Sequence, residues 1–150
     1  MNIKKLGHCC LLIKIDGLTI LTDPGAFTTS QNSLTGIDII LITHEHADHL
    51  HVGSLAEVLK NNPQAKVITN TSVGKKLDEA GVAYTVVEGR ATMQIGAGNS
   101  EHTVPLEAFD CKHVEIFEEF GQVQNTGYLI GGKLFYPGDS YCQPGKPVDV

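Results

Sequence analysis

A chain of 150 residues, 41% of them hydrophobic, is long enough to close one domain around a core and unlike a disordered, collagen-like or coiled-coil sequence. Its 17 acidic residues outweigh 11 basic ones for a formal charge of -6, and the basic residues come singly or in pairs, so no cationic stripe offers a footprint for nucleic acid or an anionic membrane. No apolar run approaches the length of a membrane span.

The first five residues, with Lys4 and Lys5, precede an apolar stretch over 6–13. Lys14 and Asp16 cut that stretch short and no small-residue cleavage site follows, so a first strand is expected there instead of a signal peptide. Cys9 and Cys10 are adjacent and point to opposite faces of that strand. Together with Cys111 and Cys142 they read as reduced thiols of a cytoplasmic protein, with Cys9, Cys10 and Cys142 as packing residues.

Asp16-Gly17, set between the apolar runs 11–15 and 18–21, signals a hairpin. It runs into Thr22-Asp23-Pro24-Gly25. After a polar loop, residues 37–42 form a continuous apolar run of the kind buried on both faces, which leads directly into His44-Glu45-His46-Ala47-Asp48-His49. Ser54-Leu55-Ala56-Glu57 is a capping-box pattern that opens a helix reaching about residue 61, with Pro63 just beyond its end. Lys66-Val67-Ile68-Thr69 reads as a strand. Residues 71–80, closed by Gly81, read as a second helix with Val73 and Leu77 on one side. Further strands are expected over 83–88, 92–95, 103–110 and 121–128, the later ones antiparallel.

A second hairpin follows, with Gly131-Gly132 as its turn, and it too runs into an acidic residue beside proline and glycine, in Pro137-Gly138-Asp139. The chain therefore reads as internally duplicated. Val148-Asp149-Val150 would be the counterpart of the strand that carries the histidines in the first half.

Four of the seven histidines, His44, His46, His49 and His51, fall within eight positions. The pattern His-x-His-x-Asp-His is expected by chance about once per thousand chains of this composition. A strand end followed by a tight loop can aim several short side chains at one point, whereas a helix would spread them round its axis. His44 and His46 can bind one ion, and Asp48 and His49 can reach a second a few Å away. Imidazole mixed with carboxylate suits Zn²⁺ best, with Mn²⁺ or Fe²⁺ feasible.

These residues resemble the metallo-β-lactamase superfamily, whose signature is His-x-His-x-Asp-His at a strand end. The segment from Gly7-His8-Cys9-Cys10 through Asp23-Pro24 is similar to its branch of small cytosolic hydrolases that includes the ascorbate-6-phosphate lactonases. The resemblance implies an α/β fold, a metallo-β-lactamase-type αββα sandwich of two mixed β-sheets, as a single domain over residues 1–150. It implies that His44, His46 and His113 hold a first metal, that Asp48 and His49 hold a second, and that Asp139 bridges the two. Asp139 as an ordinary turn residue and His113 as a surface residue are the competing readings. Asp23 would accept a hydrogen bond from a ligand histidine and fix its tautomer, with a simple turn residue as the competing reading. His8 would line the site, the alternative being a satisfied core histidine. Cys111 is expected to be a small buried hydrophobe, and His51 and His102 surface residues.

The family pattern ends in one more histidine, beyond the bridging aspartate, which this sequence does not contain. The chain is therefore expected to be a C-terminally truncated domain, lacking its last strand and helices. The implied function is metal-dependent hydrolysis of an ester-like bond in a lactone, a phosphodiester or a phosphorylated small molecule, with one or two Zn²⁺ ions and Asp48 as the catalytic proton acceptor. Antibiotic hydrolysis is set aside because true β-lactamases are exported. The expected partner is a small-molecule substrate; a homo-oligomer stays open. A nuclease of the same fold ranks below, since Arg90 is the only arginine. A non-catalytic metal-binding module is the alternative from another class. A flavodiiron-type oxidoreductase would need a flavin domain, for which these residues leave no room.

Overall fold

The computed structural model describes residues 1–98, 102–115 and 122–150. Along these residues run β1 (Asn2–Gly7), β2 (Cys10–Ile15), β3 (Leu18–Thr22), β4 (Ile39–Leu41), α1 (Val52–Asn61), β5 (Lys66–Thr69), α2 (Thr71–Glu79), β6 (Thr85–Val86), β7 (Thr92–Gly96), β8 (Thr103–Asp110), β9 (Thr126–Ile130) and β10 (Leu134–Tyr136). They make a six-stranded sheet in the order β1-β2-β3-β4-β5-β6 and a four-stranded sheet in the order β10-β9-β8-β7. In the first sheet β1 to β3 form an antiparallel meander, and β3 to β6 run parallel. The strands of the second are antiparallel throughout.

Alternation along the strands explains the layering, because successive side chains point to opposite faces. Ile13, Ile15, Ile20, Ile39 and Ile68 face the second sheet and meet Leu106, Tyr128 and Ile130 there. Leu21, Ile40, Ile42 and Val67 face the other way, against Leu55 and Val58 of α1 and Val73 and Leu77 of α2. Strand β4 is wholly buried, as a central parallel strand covered on both faces must be. This is the two-sheet α/β sandwich expected from the sequence, with both described helices outside the first sheet.

Several local expectations change. The apolar stretch over 6–13 is not one strand: it turns at His8 and Cys9, so that Gly7 pairs with Cys10. Gly7-His8 is the one break in that apolar run, and it marks the turn. Helix α1 begins earlier than the capping box suggests. Its N-cap is His51, whose Nδ1 accepts from the Ser54 amide at 3.2 Å, while Ser54 itself is buried inside the helix. The second hairpin turns through Gly131, Gly132 and Lys133, since Leu134 pairs with Ile130. Strand β9 starts at Thr126, residues 122–125 being irregular, and Gly121 lies outside the described residues.

Val150 carries the hydrogen bonds of a parallel neighbour to β10, accepting from the Phe135 amide at 2.9 Å and donating to the Lys133 carbonyl at 3.1 Å. This repeats the pairing of β3 with β4. Cys111 and Cys142 are disulfide-bonded, with Cα atoms 5.5 Å apart across 31 residues of chain, contrary to the expectation of four reduced thiols. Their distance in sequence hid that the end of β8 lies against the segment following Asp139. Cys9 and Cys10 are free.

Candidate metal centre

Strands β3, β4, β8 and β10 all end at the same edge of the sandwich and release their loops toward one another. Strand β3 delivers Asp23, β4 delivers Thr43 and the histidine loop, β8 delivers His113 and β10 delivers Asp139. Two glycines let these loops meet. Gly25 lies so close to the Asp48 carbonyl that a Cβ would collide with it, and the same contact is tied by Ala26 N–H to the Ala47 carbonyl at 2.8 Å. Gly138 takes φ +61 and lies against Asn125 and Thr43, again with no room for a side chain. Asn125 stitches the far side by donating to the Cys111 and Pro137 carbonyls at 3.0 and 2.9 Å.

His44, His49 and His113 are buried to 0%, 0% and 4% exposure, and each has its Nδ1 engaged. His49 donates from Nδ1 to Asp23 Oδ2 at 2.7 Å. Thr43 donates its hydroxyl to the same carboxylate at 2.9 Å, which leaves its oxygen to accept from His44 Nδ1 at 3.0 Å. His113 Nδ1 donates to the Val114 carbonyl at 2.6 Å. In a neutral ring a proton on Nδ1 leaves the Nε2 lone pair to a cation, and in all three rings Nε2 is buried without a hydrogen-bond partner. Buried polar atoms are nearly always satisfied, so three orphaned ring nitrogens in one place are the mark of a site shaped for a cation.

The geometry is convergent. Donor atoms of His44, His46 and His113 lie within 4.8 Å of one another, as do those of His44, His49 and Asp139. Asp139 stands between the two groups, with Oδ1 3.2 Å from His49 Nε2 and Oδ2 3.8 Å from His113 Nε2. Asp48 is at the rim, its Oδ2 3.6 Å from His49 Nε2 and 2.7 Å from His8 Nε2. His8 reaches this position from the turn between β1 and β2, where it holds φ +46. A side-chain-bearing residue there carries strain of about 1–3 kcal/mol, which the surrounding contacts must offset.

Charge coupling follows from this crowding. Burial, reinforced by His49, His113 and His46, pushes His44 down to about 2. Burial also disfavours charge on His49, but the Asp23 hydrogen bond and the nearby Cys9 sulfur outweigh it and push that ring up to about 11. His46 is lowered, chiefly by burial and then by His113. For Asp48 burial opposes ionisation, yet the His8 hydrogen bond and the His49 ring prevail and hold the carboxyl below its ordinary 3.8. Without a cation, then, His49 carries its second proton on Nε2 toward Asp139 and His44 stays neutral, so a cation binding at His49 must displace that proton to reach the Nε2 lone pair. A divalent ion would take over that positive charge.

The structure thus brings His44, His46, His49, His113 and Asp139 together, with Asp48 and His8 at the rim and Asp23 beneath. His51 caps α1 and His102 is exposed, both away from this cluster. Thr43, Asn125 and Tyr136 also shape the cluster and carry no signal in the sequence. Tyr136 places its hydroxyl 2.7 Å from Asp23 Oδ2 and 2.6 Å from the Cys9 carbonyl. Nothing local distinguishes a threonine or tyrosine in a strand as a hydrogen-bond donor to a distant carboxylate.

The fold and this donor set define a metal-site α/β sandwich, and the chain belongs to the β-lactamase superfamily domain family, whose model matches residues 2–149. It is similar to a protein of Mycobacterium tuberculosis, 31% identical over 100% of this chain and 69% of that protein. It is also similar to a UPF0173 metal-dependent hydrolase of Hyperthermus butylicus, 34% identical over 92% of this chain and 61% of the relative. A crystal structure from Parabacteroides distasonis shares the fold at TM-score 0.69 and 23% identity, covering 92% of this chain and 60% of that one. The chain therefore spans roughly three fifths to two thirds of the length of proteins it resembles. Among the described residues no helix is long and apolar enough to cross a membrane.

Proposed function

We propose that the chain carries the metal centre of a metal-dependent hydrolase acting on an ester-like bond, in a lactone, a phosphodiester or a phosphorylated small molecule. The observation that carries this reading is the set of three buried imidazoles with Nδ1 bonded and Nε2 orphaned, all facing Asp139 or His46. Relatives named as metal-dependent hydrolases support it. His44, His46 and His113 would hold one cation, and His49 with Asp48 a second, Asp139 lying between. Zn²⁺ fits these donors best, with Mn²⁺ or Fe²⁺ as alternatives.

A divalent cation bound there supplies Lewis-acid chemistry and makes a water molecule nucleophilic near neutral pH. The protein's own share is positional. Asp48 is ionised and held by His8, so its carboxylate can orient a water at the rim and accept a proton from it. Asp23, Thr43 and Tyr136 lock the imidazoles beneath and exclude solvent from that side. The ionic surface argues for a small substrate over a nucleic acid, because the net charge of -6 would repel a phosphate backbone.

Metal analysis and turnover test the reading together. Near two ions per chain are expected, with hydrolysis of a lactone or a generic phosphodiester that falls by about 10²–10⁴-fold in Asp48→Ala. Full metal occupancy with no turnover on any such substrate would favour the non-catalytic module.

A further inference from the structure

Cys9 has no part in the donor set above. It occupies the short turn between β1 and β2, partly exposed, and its carbonyl accepts from Thr22 Oγ1 at 3.1 Å with Tyr136 Oη 2.6 Å away. Its Sγ, a ring nitrogen of His8 and a ring nitrogen of His49 all lie within 4.8 Å of one another. Sγ is also 4.0 Å from Asp139 Oδ1, the oxygen that faces His49 Nε2 at 3.2 Å. His49 is fully buried, and its Nε2 is without a hydrogen-bond partner, so a second buried nitrogen is aimed at the space beside the sulfur. Neighbouring Cys10 is different: it is 1% exposed and packs in the apolar core between the first sheet and the helices.

We propose that Cys9 is a thiolate ligand of the second cation, which it shares with His49 and Asp48 beside Asp139 while His8 holds Asp48 in place, so that this position is a nitrogen, sulfur and oxygen site. The proposal rests on the reading that the centre holds divalent cations and adds which of this chain's atoms complete the second one. As the sulfur–metal bond forms, the thiol gives its proton to solvent, so binding at this position releases one proton more than a thiol-free site would. A soft sulfur donor favours Zn²⁺ or Co²⁺ over Mn²⁺ there, while the three-histidine position accepts any of them.

The test is a titration of the metal-free chain with Co²⁺, followed by absorption spectroscopy and by proton release in weak buffer. A near-ultraviolet thiolate-to-cobalt band is expected to grow with the second equivalent. Cys9→Ser should lose that band and release one proton fewer, while keeping the visible ligand-field bands of the three-histidine position. Cys10→Ala should keep all of them. A wild-type chain that takes two equivalents without the near-ultraviolet band overturns the proposal, and so does a band that survives in Cys9→Ser. Turnover separates this outcome from the hydrolase reading. A sulfur-ligated cobalt with no hydrolysis removes the hydrolase and keeps the ligand, hydrolysis without the band does the reverse, and failure to bind cobalt at all removes both.

Discussion

Asp23 and Asp139 occupy equivalent places, each just past the second strand of a hairpin and each beside proline and glycine, yet their carboxylates live in opposite surroundings. Asp23 is fully buried and accepts from four donors: the Thr43 amide, the Thr43 hydroxyl, His49 Nδ1 and the Tyr136 hydroxyl, at 2.7–2.9 Å. Asp139 keeps 34% of its side chain exposed, and its oxygens face the Nε2 atoms of His49 and His113. Its backbone, in contrast, is held firmly, with Asn125 accepting its amide at 3.2 Å and Val114 donating to its carbonyl at 2.8 Å. One copy of the motif therefore has a saturated carboxylate that orients rings. The other has an unsaturated carboxylate on a fixed backbone, which is what binding a cation requires.

The difference should be largest in stability. Removing Asp23 as Asp23→Ala strands four buried donors, one of them on a ring it holds charged, and is expected to lower unfolding free energy by about 3–5 kcal/mol in urea titrations of the metal-free chain. Asp139→Ala should change it by no more than about 0.5 kcal/mol. If the two substitutions cost the same, the division between an orienting and a binding carboxylate is wrong.

Cation affinity should sharpen the contrast. Asp139→Asn removes a direct donor and is expected to abolish one of the two binding equivalents by calorimetry. Asp23→Asn keeps both equivalents but weakens them by about 10–100-fold, the usual effect of losing the partner that orients a ligand histidine.

Much of this was legible beforehand, for identifiable reasons. The hairpin at Asp16-Gly17, the buried run ending at His44 and the helix over 71–80 are signalled locally, because turn chemistry and periodicity depend on near neighbours. The histidine loop was visible because its improbable spacing lies within a few residues. His113 and Asp139 were drawn in through a family resemblance, and nothing in their own surroundings required it. What stayed hidden was contact between distant segments: the Cys111–Cys142 bond, the Tyr136 hydroxyl reaching Asp23, and the His8 to Cys9 turn that closes over His49. Each depends on which distant loops the strand order brings together, which no local pattern encodes.

Tyr136 tests whether the second sheet helps to orient the first sheet's carboxylate. Tyr136→Phe deletes one hydrogen bond to a charged acceptor and leaves three others, so a loss of about 1.5 kcal/mol is expected in urea. Metal stoichiometry should not change. A loss of one binding equivalent would instead place Tyr136 at the cation itself.

The smallest expected effect is a pH dependence of the metal-free chain near neutrality. His44 is held down to about 2 from 6.5, so the unfolded chain binds the extra proton between those values and the stability His44 contributes is lost as pH falls below 6.5. His49 is raised from 6.5 to about 11, so the folded chain binds the extra proton in that window and its contribution is lost as pH rises above 6.5. The two contributions together peak near pH 6.5, and one unit to either side each changes stability by no more than about 1.4 kcal/mol, the limit for a single proton. Urea midpoints measured from pH 5 to 8 read this directly. Because the Asp23 hydrogen bond is the largest of the influences that raise His49, Asp23→Asn should flatten the alkaline side alone, while Asp139→Asn leaves both sides in place. An alkaline decline that disappears with Asp139 and persists without Asp23 would exchange the roles of the two carboxylates.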